Sequence, residues 1–287
     1  MGRGRKGLQD ESAIGQSVLE FYKALPFNYR QSVAEHAREI RARDAVAVYP
    51  VLPPLLGDPA VRVLEIGCGT GWLTNGIAYH YGRPVLGIDF NPVALERASA
   101  VAAELGVGSQ FRVADLFTWM PDAPYPLVIS LGVLHHTNDC AGAVRRLGGE
   151  FVAPGGHLLV GLYHQPGRRP FLDHFRAMKA AGASEDEMQD RFRELDSRIT
   201  EDTHLQSWFR DQVLHPHETQ HTLKEMLPVI EACGMTLEST SINRFQPFES
   251  VDELYDQEQD YARIAAERLA AGEYFPGFFV FLARKTA

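Results

Sequence analysis

The sequence is poor in cysteine. Its 287 residues include three, Cys68, Cys140 and Cys233, which are far apart in the chain. An odd number of widely spaced cysteines argues against a disulfide framework and gives no support to a structural zinc site. We therefore expect free thiols and a cytoplasmic protein.

Long apolar runs and excess positive charge are also missing. No run approaches the roughly 20 apolar residues of a membrane span, and no signal-peptide hydrophobic region follows Met1. The formal net charge is −9, with a sequence pI of about 5.7. Because nucleic-acid phosphates are bound through basic surfaces, this balance argues against a nucleic-acid partner. We expect neither a membrane nor a nucleic acid as partner, and the sequence does not indicate an oligomeric state.

What the chain does contain is a strand followed by a glycine-rich turn, within Val61–Thr74. The strand residues are mostly β-branched or apolar, as in a strand buried on both faces of a parallel sheet. Gly67, Gly69 and Gly71 follow, and then a segment of helical spacing. Such glycines let backbone bend sharply and approach a ligand, where open α/β sheets bind nucleotide-like molecules. Trp72 stands where a dinucleotide fingerprint needs a small residue, so the pattern disfavours a nicotinamide cofactor.

Strand and helix patterns alternate through the rest of the chain. They predict an α/β fold with a doubly wound, mostly parallel, seven-stranded sheet. Amino-terminal helices precede the sheet, and a helical lid is inserted after the fifth strand. A further helix is predicted over 217–233. The expected segments are an amino-terminal helical segment covering the cofactor site (1–54), a Rossmann-like core (55–163), a lid for the acceptor (164–216) and the carboxyl-terminal part of the core (217–287).

The stretch Glu-Ile-Gly-Cys-Gly-Thr-Gly resembles the first motif of class I S-adenosylmethionine-dependent methyltransferases. Asp89 ends the second strand, 18 residues after Gly71, and Asp115 follows the third. The resemblance, strongest over 61–163, implies that S-adenosylmethionine is the cofactor. It implies that Glu65 contacts the methionine end, Asp89 the ribose and Asp115 the adenine amine. The full set of expected cofactor contacts is Glu65, Gly67, Cys68, Gly69, Gly71, Asp89, Phe90, Asp115, Leu116 and Leu131.

The acceptor is predicted to be a small molecule, methylated by in-line displacement on oxygen, nitrogen, sulfur or carbon. His135 and His136 follow the fourth strand, and either is a candidate general base, since histidine titrates near neutral pH. The alternative is that the pair only shapes the loop. Aromatic and polar residues of the lid and the amino-terminal helices suit a small-molecule pocket. The expected acceptor contacts are Tyr22, Tyr29, Tyr163, His164, Trp208, Asp211 and His215.

Other functions stay open. The chain is alternatively a protein or peptide methyltransferase with an open groove, or a non-catalytic module that binds S-adenosylmethionine. His217-Glu218-Thr219-Gln220-His221 fits H-E-x-x-H, which on a helix would place two histidines on one face as in zinc peptidases. A metal-assisted methyltransferase using His215, His217 and His221 is a related alternative. We predict no metal, because the sheet already carries a cofactor motif and His217 directly follows Pro216.

Overall fold

A computed structural model describes residues 3–287, with side chains from Ala13 onward. Met1 and Gly2, part of the predicted amino-terminal segment, lie outside the described residues. The strands are β1 (Val63–Ile66), β2 (Val85–Asp89), β3 (Gln110–Val113), β4 (Tyr125–Leu131), β5 (Val152–Tyr163), β6 (Met235–Thr240) and β7 (Phe278–Lys285). They form one seven-stranded sheet in the order β3-β2-β1-β4-β5-β7-β6. β1 to β5 are parallel and β7 is antiparallel to both its neighbours, which confirms the predicted α/β fold.

Helices cover both faces of the sheet. They are α1 (Arg3–Ala24), α2 (Val33–Ala42), α3 (Leu52–Leu56), α4 (Trp72–Tyr81), α5 (Pro92–Leu105), α6 (Cys140–Arg146), α7 (Gln165–Ala180), α8 (Glu185–Leu195), α9 (Asp202–Val213), α10 (Leu223–Glu231) and α11 (Val251–Ala270). α5 begins where the sequence predicts, because Asn91 caps it and Pro92 occupies its first turn. Within the described chain, no helix is long and apolar enough to cross a membrane.

The core lies on the two faces of β1. All four residues of β1 are buried. Successive side chains of a strand point to opposite faces. Leu64 and Ile66 therefore pack into one apolar cluster, and Val63 packs into another that includes Leu73 and Ile77 of α4. Burial on both faces fixes the carboxyl end of β1, where the glycine-rich turn begins.

Residues 164–216, where the sequence predicts a helical insertion, contain three helices, α7 to α9. They share an apolar cluster that includes Phe171, Phe192 and Phe209. α9 faces the chain that joins α1 to α2, since Trp208 Nε1 donates to Asn28 Oδ1 at 3.2 Å. The two segments that flank the cofactor motif in sequence are therefore in direct contact.

The predicted helix over 217–233 is wrong in its first part. α10 begins at Leu223, because Thr222 and Glu225 form a reciprocal capping box there. The preceding chain is extended, and His221 pairs with His164 in an isolated β-bridge. His217 and His221 therefore do not share a helix face, which removes the geometry of a zinc peptidase.

Candidate active site

A cavity of about 1160 Å³ opens at the carboxyl ends of β1, β2 and β4. The glycine-rich turn and the residues after β2 and β3 form its floor. α1 and Pro26–Asn28 form its roof, together with Trp208 from α9. We call Gly15–Asn28 the roof segment. Ligands of parallel α/β sheets bind at this edge.

The floor exposes backbone to the cavity at one glycine in particular. Gly67, Gly69 and Gly71 all have positive φ. A Cβ at Gly67 would collide with Val133, and one at Gly71 would collide with Asn75 and Ala98. A Cβ at Gly69 would meet nothing within 4 Å. Gly69 also lines the cavity, so its empty side is space that a ligand can fill.

Asp89 supports this turn from the end of β2. Its Oδ2 accepts a hydrogen bond from Gly69 N at 2.8 Å, and its Oδ1 accepts one from Asn91 N at 2.9 Å. Burial raises the pKa of Asp89, against the lowering effect of these backbone donors. A carboxylate offers about four acceptor positions. Asp89 therefore keeps capacity for the two hydroxyls of a ribose.

Two further carboxylates lie at the ends of the predicted cofactor site. Glu65 accepts a hydrogen bond from the Thr74 hydroxyl, and burial raises its pKa to about 7. Asp115 lies at the other end and accepts from Phe117 N at 2.9 Å. Both line the cavity, as do all the expected cofactor contacts except Gly71, which lies behind the turn.

The two candidate bases have different surroundings. His136 lines the cavity, whereas His135 is fully buried behind it. Nδ1 of His135 faces the backbone N–H of Tyr163 at 3.1 Å and must accept from it. Nδ1 of His136 lies 3.0 Å from the carbonyl oxygen of His217 and must donate to it. Nε2 of His136 therefore carries a lone pair, and it has no hydrogen-bond partner within the described chain.

Burial keeps the imidazole rings of His136 and His215 neutral. It lowers the pKa of His136 to about 3, although the bond to the His217 carbonyl opposes that shift. Burial likewise lowers the pKa of His215 to about 3, and its ring lies 3.7 Å from that of His136, centroid to centroid. The site therefore places an uncharged imidazole, that of His136, in the wall of the cavity.

Asp211 connects the roof segment to His136. Its Oδ1 accepts from the Tyr22 hydroxyl at 2.5 Å and lies 3.9 Å from His136 Nε2. Its Oδ2 accepts from the Tyr163 hydroxyl at 3.1 Å and from Gln212 Nε2 at 2.7 Å. Burial raises the pKa of Asp211. A buried carboxylate near the neutral imidazole is positioned to stabilise an imidazolium.

The structure brings together part of the predicted acceptor set. Tyr22 and Trp208 line the cavity, while Tyr163, Asp211 and His215 form a layer behind His136. Tyr29 and His164 do not line the cavity, contrary to expectation, because each is held by a partner elsewhere in the fold. The Tyr29 hydroxyl accepts from Arg97 on α5, and His164 Nε2 lies 3.0 Å from the fully buried Glu258.

Some polar residues of this region were not singled out from the sequence. Arg168 is fully buried, and its guanidinium binds Gln212 and Glu218 while lying 3.9 Å above the Tyr163 ring. Asn28 accepts from both Trp208 and His204. No local motif marks these residues, because their partners are distant in the chain.

The H-E-x-x-H residues are also accounted for. Glu218 is paired with Arg168, with the nearest N–O distance at 3.0 Å, and His217 Nε2 lies 3.2 Å from the Thr137 carbonyl oxygen. In the part of the chain that the structure describes, no group of three or more His, Cys, Asp or Glu side chains is placed to hold a metal ion.

Comparison with known proteins identifies the class. Residues 63–156 match the family described as "Methyltransferase domain". Together with the fold and the site, this match identifies a class I S-adenosylmethionine-dependent methyltransferase domain in the chain. S-adenosylmethionine is the cofactor of this family, and the exposed Gly69 backbone and the Glu65, Asp89 and Asp115 carboxylates fit it.

Individual relatives are more distant. The chain is 30% identical over 168 residues to a probable chloroplastic tocopherol O-methyltransferase of Oryza sativa subsp. japonica, covering 55% of this chain and 45% of the relative. It is 30% identical over 174 residues to a trans-aconitate 2-methyltransferase of Streptomyces avermitilis, covering 58% and 62%. The chain thus spans about half the length of these curated relatives.

Solved structures share the fold. Magnesium protoporphyrin IX methyltransferase from Synechocystis PCC 6803 with bound S-adenosylmethionine has a TM-score of 0.54 at 14% identity, over 95% of this chain and 97% of that chain. An S-adenosylmethionine-dependent methyltransferase from Mesorhizobium loti has a TM-score of 0.50 at 22% identity, over 84% and 99%. At such identities these structures establish a common fold and no common acceptor.

Proposed function

We propose that this protein transfers a methyl group from S-adenosylmethionine to a small-molecule acceptor bound under the roof segment, with His136 taking the acceptor's proton. The observation that carries the proposal is that one cavity is lined both by the cofactor-type carboxylates and by His136, whose buried Nε2 has no hydrogen-bond partner in the described chain. When bound, the cofactor supplies a methyl group on a sulfonium centre, which is open to in-line displacement.

Cofactor binding is assigned to the floor. Asp89 holds the ribose hydroxyls, Glu65 the charged methionine end and Asp115 the adenine amine. Gly69 supplies the open backbone surface, and Leu116, Phe90 and Leu131 supply apolar contacts. Gly71 acts by letting the turn close tightly against α5, as its contacts with Asn75 and Ala98 support.

His136 is assigned as the base because of the hydrogen bonds that its two ring nitrogens make and lack. Its Nδ1–H is held by the His217 carbonyl, which fixes the tautomer that leaves the lone pair on Nε2. Once Nε2 takes a proton, the imidazolium is stabilised by Asp211, whose Oδ1 lies 3.9 Å away. Because burial lowers the pKa of His136 and makes it a weak base, it takes the proton as methyl transfer makes the acceptor more acidic, not beforehand. His135 positions this loop by its bond to Tyr163 N and is not the base.

The cavity favours an uncharged acceptor. Tyr22, Phe27 and Trp208 provide aromatic walls, and the Phe27 and Trp208 rings lie 4.9 Å apart. Among the described lining residues, one is a guanidinium, Arg43, whereas five are carboxylates: Asp44, Glu65, Asp89, Asp115 and Asp139. A neutral acceptor with an acidic hydroxyl, as in tocopherol, therefore suits this surface better than an anion such as trans-aconitate.

The proposal is tested with methyl-labelled S-adenosylmethionine and separate small-molecule and protein fractions of a cell extract. We expect wild-type protein to transfer label to the small-molecule fraction. Label in the protein fraction instead would favour a protein methyltransferase. Cofactor binding without any transfer would favour a non-catalytic binding module.

The Glu65 carboxyl predicts a pH dependence of cofactor affinity. The ionised carboxylate attracts the cofactor's ammonium group, and burial raises the pKa of Glu65 to about 7 in the free protein. Below this pKa a proton must leave before the cofactor binds. S-adenosylhomocysteine affinity should therefore rise from pH 6 to pH 7.5, and calorimetry measures it. In the Glu65→Gln variant the affinity should be weaker and its pH dependence smaller; an identical slope in both proteins would refute the assignment.

A further inference from the structure

The last turn of α1 is held by two side chains from different parts of the fold. The carbonyls of Phe21 and Tyr22 are among the last four of α1, which have no partner within a helix. Asn91 Nδ2 donates to the Tyr22 carbonyl at 3.0 Å, and Arg210 Nη2 donates to the Phe21 carbonyl at 3.2 Å. Arg210 also lies over the Phe21 ring, 4.6 Å from its centroid. α1 is therefore docked through polar contacts and not only through its apolar face.

Asn91 joins this docking contact directly to the cofactor floor. Its backbone N–H donates to Asp89 Oδ1 at 2.9 Å, and its side-chain oxygen caps α5 by accepting from Val93 N at 3.0 Å. Its side-chain Nδ2 donates to the Tyr22 carbonyl of α1. One residue thus contacts the ribose carboxylate, the start of α5 and the end of the roof segment.

The roof segment itself connects onward to the base. The Tyr22 hydroxyl donates to Asp211, which lies beside His136. A continuous series of polar contacts therefore runs from Asp89 through Asn91, Tyr22 and Asp211 to His136.

We propose that Asn91 is a positioning residue that couples the cofactor floor to the docking of α1. The assignment of Asp89 to the cofactor rests on the proposed function. Gly15, Val18, Leu19 and Tyr22 of α1 line the cavity, so a ligand that fills it contacts α1 only in the docked state. A ligand that binds one state more tightly shifts the population toward that state. Cofactor binding should thus stabilise the docked position of α1, in which Tyr22 donates to Asp211.

The test is hydrogen exchange of residues 13–24, without and with saturating S-adenosylhomocysteine. In the wild-type protein the ligand should slow exchange throughout this segment. Asn91→Ser keeps a good helix cap and the backbone bond to Asp89, but it lacks the amide donor to Tyr22. In this variant α1 should exchange about fivefold faster in the complex, the factor expected for one neutral hydrogen bond. Exchange in α5 should be unchanged.

Asn243→Ser is the matched control, because it also removes an amide donor to a carbonyl, that of Gln246, far from α1. Its α1 should exchange as in the wild-type protein. Arg210→Met is the second variant; it removes the donor to Phe21 and should also speed exchange of α1. The proposal is overturned if the bound ligand does not slow exchange of α1, or if Asn91→Ser leaves α1 unchanged or alters α5 equally. Failure of S-adenosylhomocysteine to bind would contradict the proposed function instead, and α1 exchange in the free Asn91→Ser protein would still test the docking contact.

Discussion

Cofactor binding is expected to be lost when Gly69 is replaced by valine. Gly69 has φ of +53°, and its empty side faces the cavity. A valine side chain there fills the space that the ligand needs, and a β-branched residue resists positive φ. Calorimetric titration with S-adenosylhomocysteine should detect no binding by the variant at ligand concentrations that saturate the wild-type protein.

Gly82→Val is the control that distinguishes blocking of the cofactor site from strain of the backbone. Gly82 has φ of +62°, a Cβ there meets nothing within 4 Å, and it ends α4 away from the cavity floor. Both variants should show a lower melting temperature, since both force a β-branched residue into the left-handed region. Only Gly69→Val should fail to bind the ligand. Wild-type affinity in the Gly69 variant would show that the turn does not approach the cofactor.

Removal of the His136 side chain is expected to slow methyl transfer by about 10²- to 10⁴-fold, the usual contribution of a general base. The reason is that His136 lines the cavity and that its Nε2 carries a lone pair without a partner in the described chain. Cofactor affinity should stay within about threefold, because the expected cofactor contacts lie on the floor. Single-turnover transfer of labelled methyl to the acceptor recovered from the small-molecule fraction measures the effect.

The pH profile adds a second readout for His136. Burial lowers its pKa to about 3, so the ring is already neutral at pH 5 and its protonation should cause no inflection in the saturated rate between pH 5 and 8. His174→Ala on α7 is the control, and it should transfer methyl at the wild-type rate. Equal rates for His136→Ala and wild type would rule out His136 as the base.

The sequence predicts, for a physical reason, that the residues of the floor converge at one place. Parallel strands end at one edge of a sheet, so residues that follow β1, β2 and β3 must converge there whatever the rest of the chain does. Glu65, Asp89 and Asp115 meet at the cavity on that ground.

The acceptor side depends on contacts between distant residues, and the sequence predicts it less well. Tyr22 and Asp211 meet although 189 residues separate them. The roles of the two adjacent histidines differ because His136 donates to a carbonyl 81 residues away, while His135 accepts from Tyr163. His164 is an expected acceptor contact that Glu258 of α11 holds away from the cavity. No local pattern encodes these pairings.

The most direct test of the account is the affinity of S-adenosylmethionine for the wild-type protein and for Asp89→Ala, measured by calorimetry at one pH. The account predicts that the wild-type protein binds and that the variant loses at least about 1.5 kcal/mol, or roughly tenfold, because hydrogen bonds to a charged group are removed. Equal affinity of the two proteins, or no binding by the wild-type protein, would contradict it.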